Sequence, residues 1–323
     1  MKKIAITGAN GFVGSHLVRK LALNYDVLCL VRENADIDLL PENADIRMID
    51  YNDLSTISEV LKDCEILIHS AAVTRARNWQ TFQKINIDLP ENLLTISNEI
   101  KLQQFIFISS QAAAGPASDL YHPIQETDKC EPISMYGKSK FLAEKIIRDK
   151  AHIPWTIVRP VSVFGPGDKD FLQYFKMIKK HIAPLIGFDK KNYNFIYVND
   201  LVDLIDKTIL NKKAFNETFF AAESKIFTML EFIRSIELAL NRKSLHLHIP
   251  HFLLSFAALI AGLLNKFSSR PPILNQEKVK EFKQKNWIVN TNKSKELLAF
   301  KTKSDLTKQI QETSNWYKSK GWL

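Results

Sequence analysis

A short apolar run at residues 3–7 passes directly into three glycines, Gly8, Gly11 and Gly14, and these open a stretch with helical spacing at 11–23. A strand that reaches a helix through so tight a turn leaves the free N–H groups and the positive end of the helix beside an open gap. Glycines are needed there, because a side chain would block both the turn and the close approach of a ligand to the backbone. The segment Thr7-Gly8-Ala9-Asn10-Gly11-Phe12-Val13-Gly14 has the form TGxxGxxG. Between a strand and a helix this pattern reads as a seat for the pyrophosphate of a dinucleotide; in another setting it is only a tight turn. Gly8, Asn10, Gly11, Phe12, Val13 and Gly14 are therefore candidate cofactor contacts.

The same unit recurs along the first half. Apolar strands are expected at 26–31, 46–49, 65–69, 104–109 and 155–158, with helices at 53–61, 79–100 and 137–150 between them. Continuous apolar strands alternating with amphipathic helices mean a parallel sheet covered on both faces, and right-handed crossovers make it doubly wound. The fold class read from this is α/β, a Rossmann-type doubly wound parallel sheet with a smaller, mostly helical C-terminal lobe. After about residue 165 the rhythm breaks, apart from one further strand and helix at 195–198 and 201–210. The division expected is 1–165 plus about 193–213 for the nucleotide domain, and about 166–192 with 214–323 for a substrate lobe. A chain of 323 residues, 46% hydrophobic and 24% charged, has material for both.

Residue types at the strand ends bear on which nucleotide is bound. A carboxylate at the end of the second strand would accept hydrogen bonds from the ribose of NAD, but here that strand ends Leu30-Val31-Arg32. A guanidinium suits a 2′-phosphate, so NADP(H) is expected over NAD(H). The other reading makes Arg32 a solvated residue paired with Glu33 or Asp36. Asp50 and Tyr51, after the third strand, are candidates for the adenine side.

Of the eight tyrosines, Tyr136 is the one followed by a lysine four positions on, Lys140. The two share a helix face. Tyrosine ionises near pH ~10, and a neighbouring ammonium favours tyrosinate. Tyr136 is thus expected to exchange a proton with an alcohol or carbonyl, tuned by Lys140, which could also bond the cofactor ribose. Ser110 closes the fifth strand at the carboxyl edge, where ligands bind in open α/β sheets, and is placed to polarise a substrate oxygen. The plainer readings are a surface pair for Tyr136 and Lys140, and a turn or cap for Ser110.

Taken with His69-Ser70-Ala71-Ala72, Ile108-Ser109-Ser110, YGKSK, Arg159-Pro160-Val161-Ser162-Val163-Phe164-Gly165-Pro166-Gly167 and Phe195-Ile196-Tyr197-Val198-Asn199-Asp200, the chain resembles the extended short-chain dehydrogenase/reductase family over most of its length. The resemblance implies an NAD(P)-dependent enzyme with Ser110, Tyr136 and Lys140 as its catalytic set. It also implies that Ala71 and Ala72 line the dinucleotide, and that the backbone after Pro160, through Val161 and Val163, meets the nicotinamide. Departures narrow the activity. Dehydratases of the family carry Asp-Glu after the catalytic hydroxyl, where this chain has Gln111-Ala112. Sugar-nucleotide epimerases carry Asn at the position of Ser162 and Arg at that of Tyr193. The stretches ISSQAAAGP and VRP to FGPGD look more like the 3β-hydroxysteroid dehydrogenase and dihydroflavonol reductase branches. Hydride transfer to or from a secondary alcohol or ketone of a small lipophilic molecule is the expectation, with an NAD-dependent sugar-nucleotide epimerase as the alternative. The resemblance also implies a homodimer through the helices at 79–100 and 137–150.

Other signals are weaker. Three scattered cysteines, a start without an apolar leader and the lack of a long uncharged apolar run predict a cytoplasmic protein without spanning helices. His246, His248 and His251 show no carboxylate nearby in sequence, so no metal is expected. The run at 252–264, FLLSFAALIAGLL, is apolar all round and predicts burial, with the roof of the pocket as its place. Residues 266–323 hold 13 Lys and Arg against 5 Asp and Glu. This supports a second reading, peripheral contact with an anionic membrane through 252–270. No nucleic-acid motif accompanies the positive charge.

Overall fold

A computed structural model of the chain describes residues 1–264, 275–303 and 305–323, with side chains given to residue 261 in the first block. The first half runs β1 (Lys3–Thr7), α1 (Phe12–Leu21), β2 (Asp26–Arg32), β3 (Asp45–Ile49), α2 (Leu54–Leu61), β4 (Ile66–His69), α3 (Trp79–Phe82), a π-helical turn at Gln83–Asp88, α4 (Leu89–Glu99), β5 (Gln104–Ile108), α5 (Met135–Lys150) and β6 (Trp155–Pro160). It continues through β7 (Ser162–Phe164), α6 (Leu172–Lys179), β8 (Ile182–Ile186), β9 (Asn192–Tyr193), β10 (Phe195–Tyr197), α7 (Val198–Thr208), β11 (Glu217–Ala221) and β12 (Phe227–Thr228). The last elements are α8 (Met229–Leu240), β13 (Leu245–Ile249), α9 (His251–Leu264), α10 (Gln276–Lys283), β14 (Asn286–Trp287), α11 (Asn292–Leu298) and α12 (Leu306–Ser319).

Seven parallel strands form the central sheet in the order β11-β6-β5-β4-β1-β2-β3. Every residue of β4 and β5 is buried, as strands covered on both faces must be. On one face Leu17, Val18 and Leu21 of α1 join Leu201, Leu204 and Ile205 of α7; on the other, Ile57 and Leu61 of α2, Leu93 and Ile96 of α4 and Ile147 of α5 pack together. The fold is Rossmann-type and doubly wound. The strand order reverses between β1 and β4, which opens a crevice at their carboxyl ends.

Four local features differ from the sequence expectations. The helix at 79–100 is broken into α3, a π turn and α4, because Pro90 at the start of α4 has no N–H to continue the α ladder. β11 pairs with β6 in the central sheet although its residues fall in the stretch assigned to the second lobe. Its partner lies some sixty residues earlier, Glu217 opposite Thr156, and no local pattern announces such a pairing. The lobe, mostly helical as expected, also holds strands that the sequence did not announce: β8 and β13 form a parallel ribbon, and β12, β9 and β14 a small three-stranded patch. Finally, α9 is not buried all round; Leu254 and Ala258 face inward, while Phe252, Leu253, Phe256, Leu259 and Ile260 are exposed. Residues 265–270 of the membrane reading lie outside the described residues. Among those described, no helix is long and apolar enough to cross a membrane.

Candidate active site

The crevice is the mouth of a cleft of about 1040 Å³, whose wall includes Gly8, Gly11, Phe12, Val13, Gly14, Ala72, Ser110, Tyr136, Pro160, Val161 and Val163. Its nucleotide end is shaped by close backbone packing. Gly8 has φ +66°, and a Cβ there would sit 2.7 Å from the Ala71 backbone. At Gly14 a Cβ would come within 2.0 Å of the Gly8 carbonyl, so α1 can lie against the turn only because that atom is absent. The N-cap of α1 is Gly11, which offers no capping side chain. The first-turn amides of α1 are therefore free for an anion, and the cradle fits a nucleotide diphosphate.

Several residues expected to touch the cofactor stand back from this wall. Tyr51 donates its hydroxyl to the Leu30 carbonyl at 3.0 Å and accepts the Gly8 N–H, so it braces the glycine turn from beneath. The Asn10 amide donates to the Asp36 carbonyl at 2.8 Å and holds the loop after β2. Asp50 is exposed, with one oxygen taken by the backbone and side-chain amides of Asn52 at 2.9 and 2.7 Å. Arg32 ends β2 exposed, and among the described residues neither Glu33 nor Asp36 forms an ion pair with it.

Ser110 leaves β5 as the cap of a short 3₁₀ turn, its Oγ accepting the Ala112 N–H at 3.1 Å, and it also hydrogen-bonds Tyr136. Tyr136 occupies the first turn of α5, which is capped by Ser134 accepting the Gly137 N–H at 3.1 Å. Lys140 follows one turn later on α5, 1% exposed and behind the residues that line the cleft, with Nζ 4.0 Å from the centre of the Phe107 ring. Ser110 and Tyr136 are thus in contact, with Lys140 one turn along the same helix as Tyr136. Their electrostatics differ from the expectation that Lys140 pulls Tyr136 toward tyrosinate. Burial pushes Tyr136 up to about 12, with its bond to Ser110 working downward and the charge of Glu281 upward. Burial pulls Lys140 down to about 7 against the attraction of Glu144. Desolvation is the largest cause for each group, and it holds Tyr136 in its protonated form at neutral pH.

Two supporting groups escaped the sequence reading. Glu144, fully buried one turn beyond Lys140, accepts from Ser109 Oγ at 2.5 Å, Arg159 Nε and Nη2 at 2.9 and 2.7 Å, and Arg148 Nη2 at 2.9 Å. This ties β5 and β6 to the catalytic helix. Asn86, in the π turn, accepts the Val73 N–H at 2.9 Å and donates to the Val73 carbonyl and to Ser139 Oγ, both at 2.9 Å. An Asn on an otherwise apolar helix face and a Glu four residues after Lys140 were the available signals, and neither says where its partner lies. From the second lobe, Glu277 of α10 accepts the Met135 N–H at 2.7 Å and so adds a second cap to α5.

The histidines are placed otherwise than as ligands. His246 meets a carboxylate that the sequence does not bring near it, Glu237 of α8 at 3.1 Å, and His248 bonds the Gly187 carbonyl at 2.8 Å. No group of three or more metal-ligating side chains occurs among the described residues.

Comparisons with known proteins agree with this geometry. The sequence profile of the NAD dependent epimerase/dehydratase family matches residues 4–220. The chain is 31% identical to a UDP-glucose 4-epimerase of Vibrio cholerae over 265 residues, 77% of this chain and 79% of that one. It is 24% identical to a ceramide reductase of Caulobacter vibrioides over 329 residues, 99% of this chain and 96% of that one. The fold matches that of a UDP-glucuronic acid 4-epimerase from Bacillus cereus in complex with NAD, with a TM-score of 0.79 at 21% identity and coverage of 98% and 99%. A cradle for a nucleotide diphosphate and a match over most of the chain lead to one conclusion: the protein belongs to the NAD dependent epimerase/dehydratase family, and it is a nicotinamide-dependent enzyme of the extended short-chain dehydrogenase/reductase type.

Proposed function

We propose that this enzyme is an NADP(H)-preferring oxidoreductase that reduces a ketone of a small lipophilic molecule to a secondary alcohol, or reverses that step, as in the 3β-hydroxysteroid dehydrogenase and dihydroflavonol reductase branches. The observation that carries the reading is the far wall of the cleft. Phe171, Tyr174, Leu185, Ile186, Tyr193 and Trp287 line it. Tyr193 stacks on Phe195 at 5.8 Å, at the position where a sugar-nucleotide epimerase would keep an arginine for the diphosphate. Peripheral contact with a membrane belongs to the same reading, since a lipophilic substrate partitions there.

Ser110 holds the substrate oxygen, and Tyr136, protonated at neutral pH, gives that oxygen its proton as the carbonyl carbon is reduced. When bound, the reduced nicotinamide supplies the hydride. Lys140, one turn beyond Tyr136 on α5, would bond the cofactor ribose. Tyrosinate left by the step regains its proton from solvent through the open cleft.

The epimerase reading is favoured by the relatives, among them the UDP-glucose 4-epimerase at 31% identity and the UDP-glucuronic acid 4-epimerase of the same fold. Two measurements separate the readings. Purified protein should exchange its nucleotide freely and consume NADPH with lipophilic ketones. Tyr136→Phe should lower turnover by at least about 100-fold while NADPH still binds. Tightly held NAD, with conversion of a UDP-sugar and no net cofactor change, would establish the epimerase instead.

A further inference from the structure

We propose that the outer face of α9 and the basic rim around it dock the protein flat on an anionic lipid bilayer, so that the substrate is a membrane-resident amphiphile entering the cleft from the lipid. The inference rests on the reading of the cleft as a site for a lipophilic ketone or alcohol and adds where that molecule comes from.

α9 is apolar throughout, yet only one face of it is used inside the protein. Leu254 and Ala258, 7% and 2% exposed, pack with Val279 of α10 and with Ile186 and Ile249 of the β8–β13 ribbon. On the other side Phe252 and Phe256 are 71% and 60% exposed, with Leu253, Leu259 and Ile260 exposed beside them. The ribbon leading into α9 exposes Leu245 and Leu247, and Phe188, in the turn after β8, is exposed with its ring stacked on His248. A stripe of large apolar side chains of this extent marks an interaction surface. A helix of 14 residues is too short to span a bilayer but long enough to lie in its interface.

The charge around the stripe selects the partner. Lys191 and Lys283 stand close enough to the first residue of α9 to bear on the His251 imidazole. Lys190, Lys280, Lys283 and Lys285 are exposed around that end, and Arg242 and Lys243 at the start of the ribbon. The nearby carboxylates are Glu277 and Glu281, which line the cleft and pair with Lys280 and Lys278, and Asp189, which pairs with Lys285; Lys190 and Lys283 remain in excess of them. A second copy of the chain, packed face to face, would set this basic rim against itself. Anionic headgroups complement it, with the phenylalanines between them in the acyl boundary.

The docking surface and the cleft share one wall. Ile186, Phe188, His248, Lys278 and Phe282 line the cleft and come from the ribbon, its turn and α10, the elements on which α9 sits. A bilayer against α9 therefore lies beside the substrate end of the cleft.

The test is flotation of the full chain with vesicles of phosphatidylcholine alone and of phosphatidylcholine with phosphatidylglycerol, at low and high salt. The anionic vesicles should carry the protein at low salt, and high salt should release most of it. Phe252→Ser with Phe256→Ser should weaken partitioning about tenfold or more, and Lys283→Glu with Lys285→Glu should abolish the preference for anionic lipid. In parallel, reduction of a long-chain ketone carried in the anionic vesicles should fall with the phenylalanine variant, while reduction of a short water-soluble ketone stays at the wild-type rate. No flotation on either vesicle, flotation indifferent to the phenylalanine substitutions, or a dimer that those substitutions convert to monomer would overturn the docking. Failure of the unaltered protein to reduce either ketone, with flotation intact, would instead overturn the proposed activity.

Discussion

Lys140 and Arg32 are cations in opposite settings, one buried and one exposed. Lys140 is a lysine whose ammonium has been moved out of water, and its proton affinity falls to about 7. The unfolded chain holds that proton up to roughly pH 10.4, so between about 7 and 10 the unfolded state binds more protons than the folded one. Stability attributable to this residue therefore rises with pH across that window, and the full penalty applies below it. Lys140→Met should raise stability at pH 6 by a few kcal/mol and by almost nothing near pH 10, read from urea unfolding at each pH; a gain that does not vary with pH would contradict the buried-ammonium account. Arg32 is the opposite case, exposed at the end of β2 with neither neighbouring carboxylate engaged. Arg32→Ala should weaken NADPH binding about 10- to 150-fold and leave NADH unchanged, since a charge-assisted bond to a phosphate contributes ~1.5–3 kcal/mol. Equal loss for both nucleotides would remove the NADP preference.

At the level of elements, the catalytic helix α5 is held from both lobes. Ser134 caps it from its own chain end, and Glu277 of α10 caps it from across the cleft. Glu281 lies one turn further along α10, and its negative charge raises the affinity of Tyr136 for its proton, beyond the effect of burial and against the bond from Ser110. Removing that charge favours tyrosinate, so Glu281→Gln should shift the alkaline limb of the pH–rate profile toward lower pH with little change in the plateau. An unchanged limb would show that α10 does not act on Tyr136 electrostatically. The π turn before α4 does comparable work on the other side. Pro90 forces the ladder to widen, and Asn86 in that turn reaches both Val73 and Ser139. This was not legible in a helical pattern that predicted one continuous element, because periodicity reports which face is apolar and not where the ladder must break.

Across the whole molecule, the buried Glu144–Arg159 pair joins the sheet to the helix layer that carries the site. Burial alone would raise the Glu144 carboxyl, but the two bonds from Arg159, with Arg148 and Ser109, hold it below its ordinary range. Its contribution to stability is therefore present above the unfolded carboxyl range, near pH ~4.3, and is lost as pH falls through the lower folded value. Glu144→Ala should destabilise the protein by about 3–5 kcal/mol, because Arg159 is left buried without a counter-charge. A melting temperature within a degree or two of the wild type would show that water or Cys130 compensates.

The sequence by itself determined the doubly wound sheet, the glycine cradle and the pairing of Tyr136 with Lys140 on one helix, because each is set by residues close together in the chain. Strand and helix periods, a tight turn and an i,i+4 pair are local properties. Tertiary structure alone decided that β11 joins the sheet beside β6, that Tyr51 braces Gly8, and that Glu237 reaches His246. It also decided that Phe252, Leu253, Phe256, Leu259 and Ile260 of a mostly apolar helix stay in solvent, and that burial is the largest influence on the protons of both Tyr136 and Lys140. Those outcomes depend on what packs against a residue from distant parts of the chain and on how much water the packing removes, and neither quantity is written in local spacing.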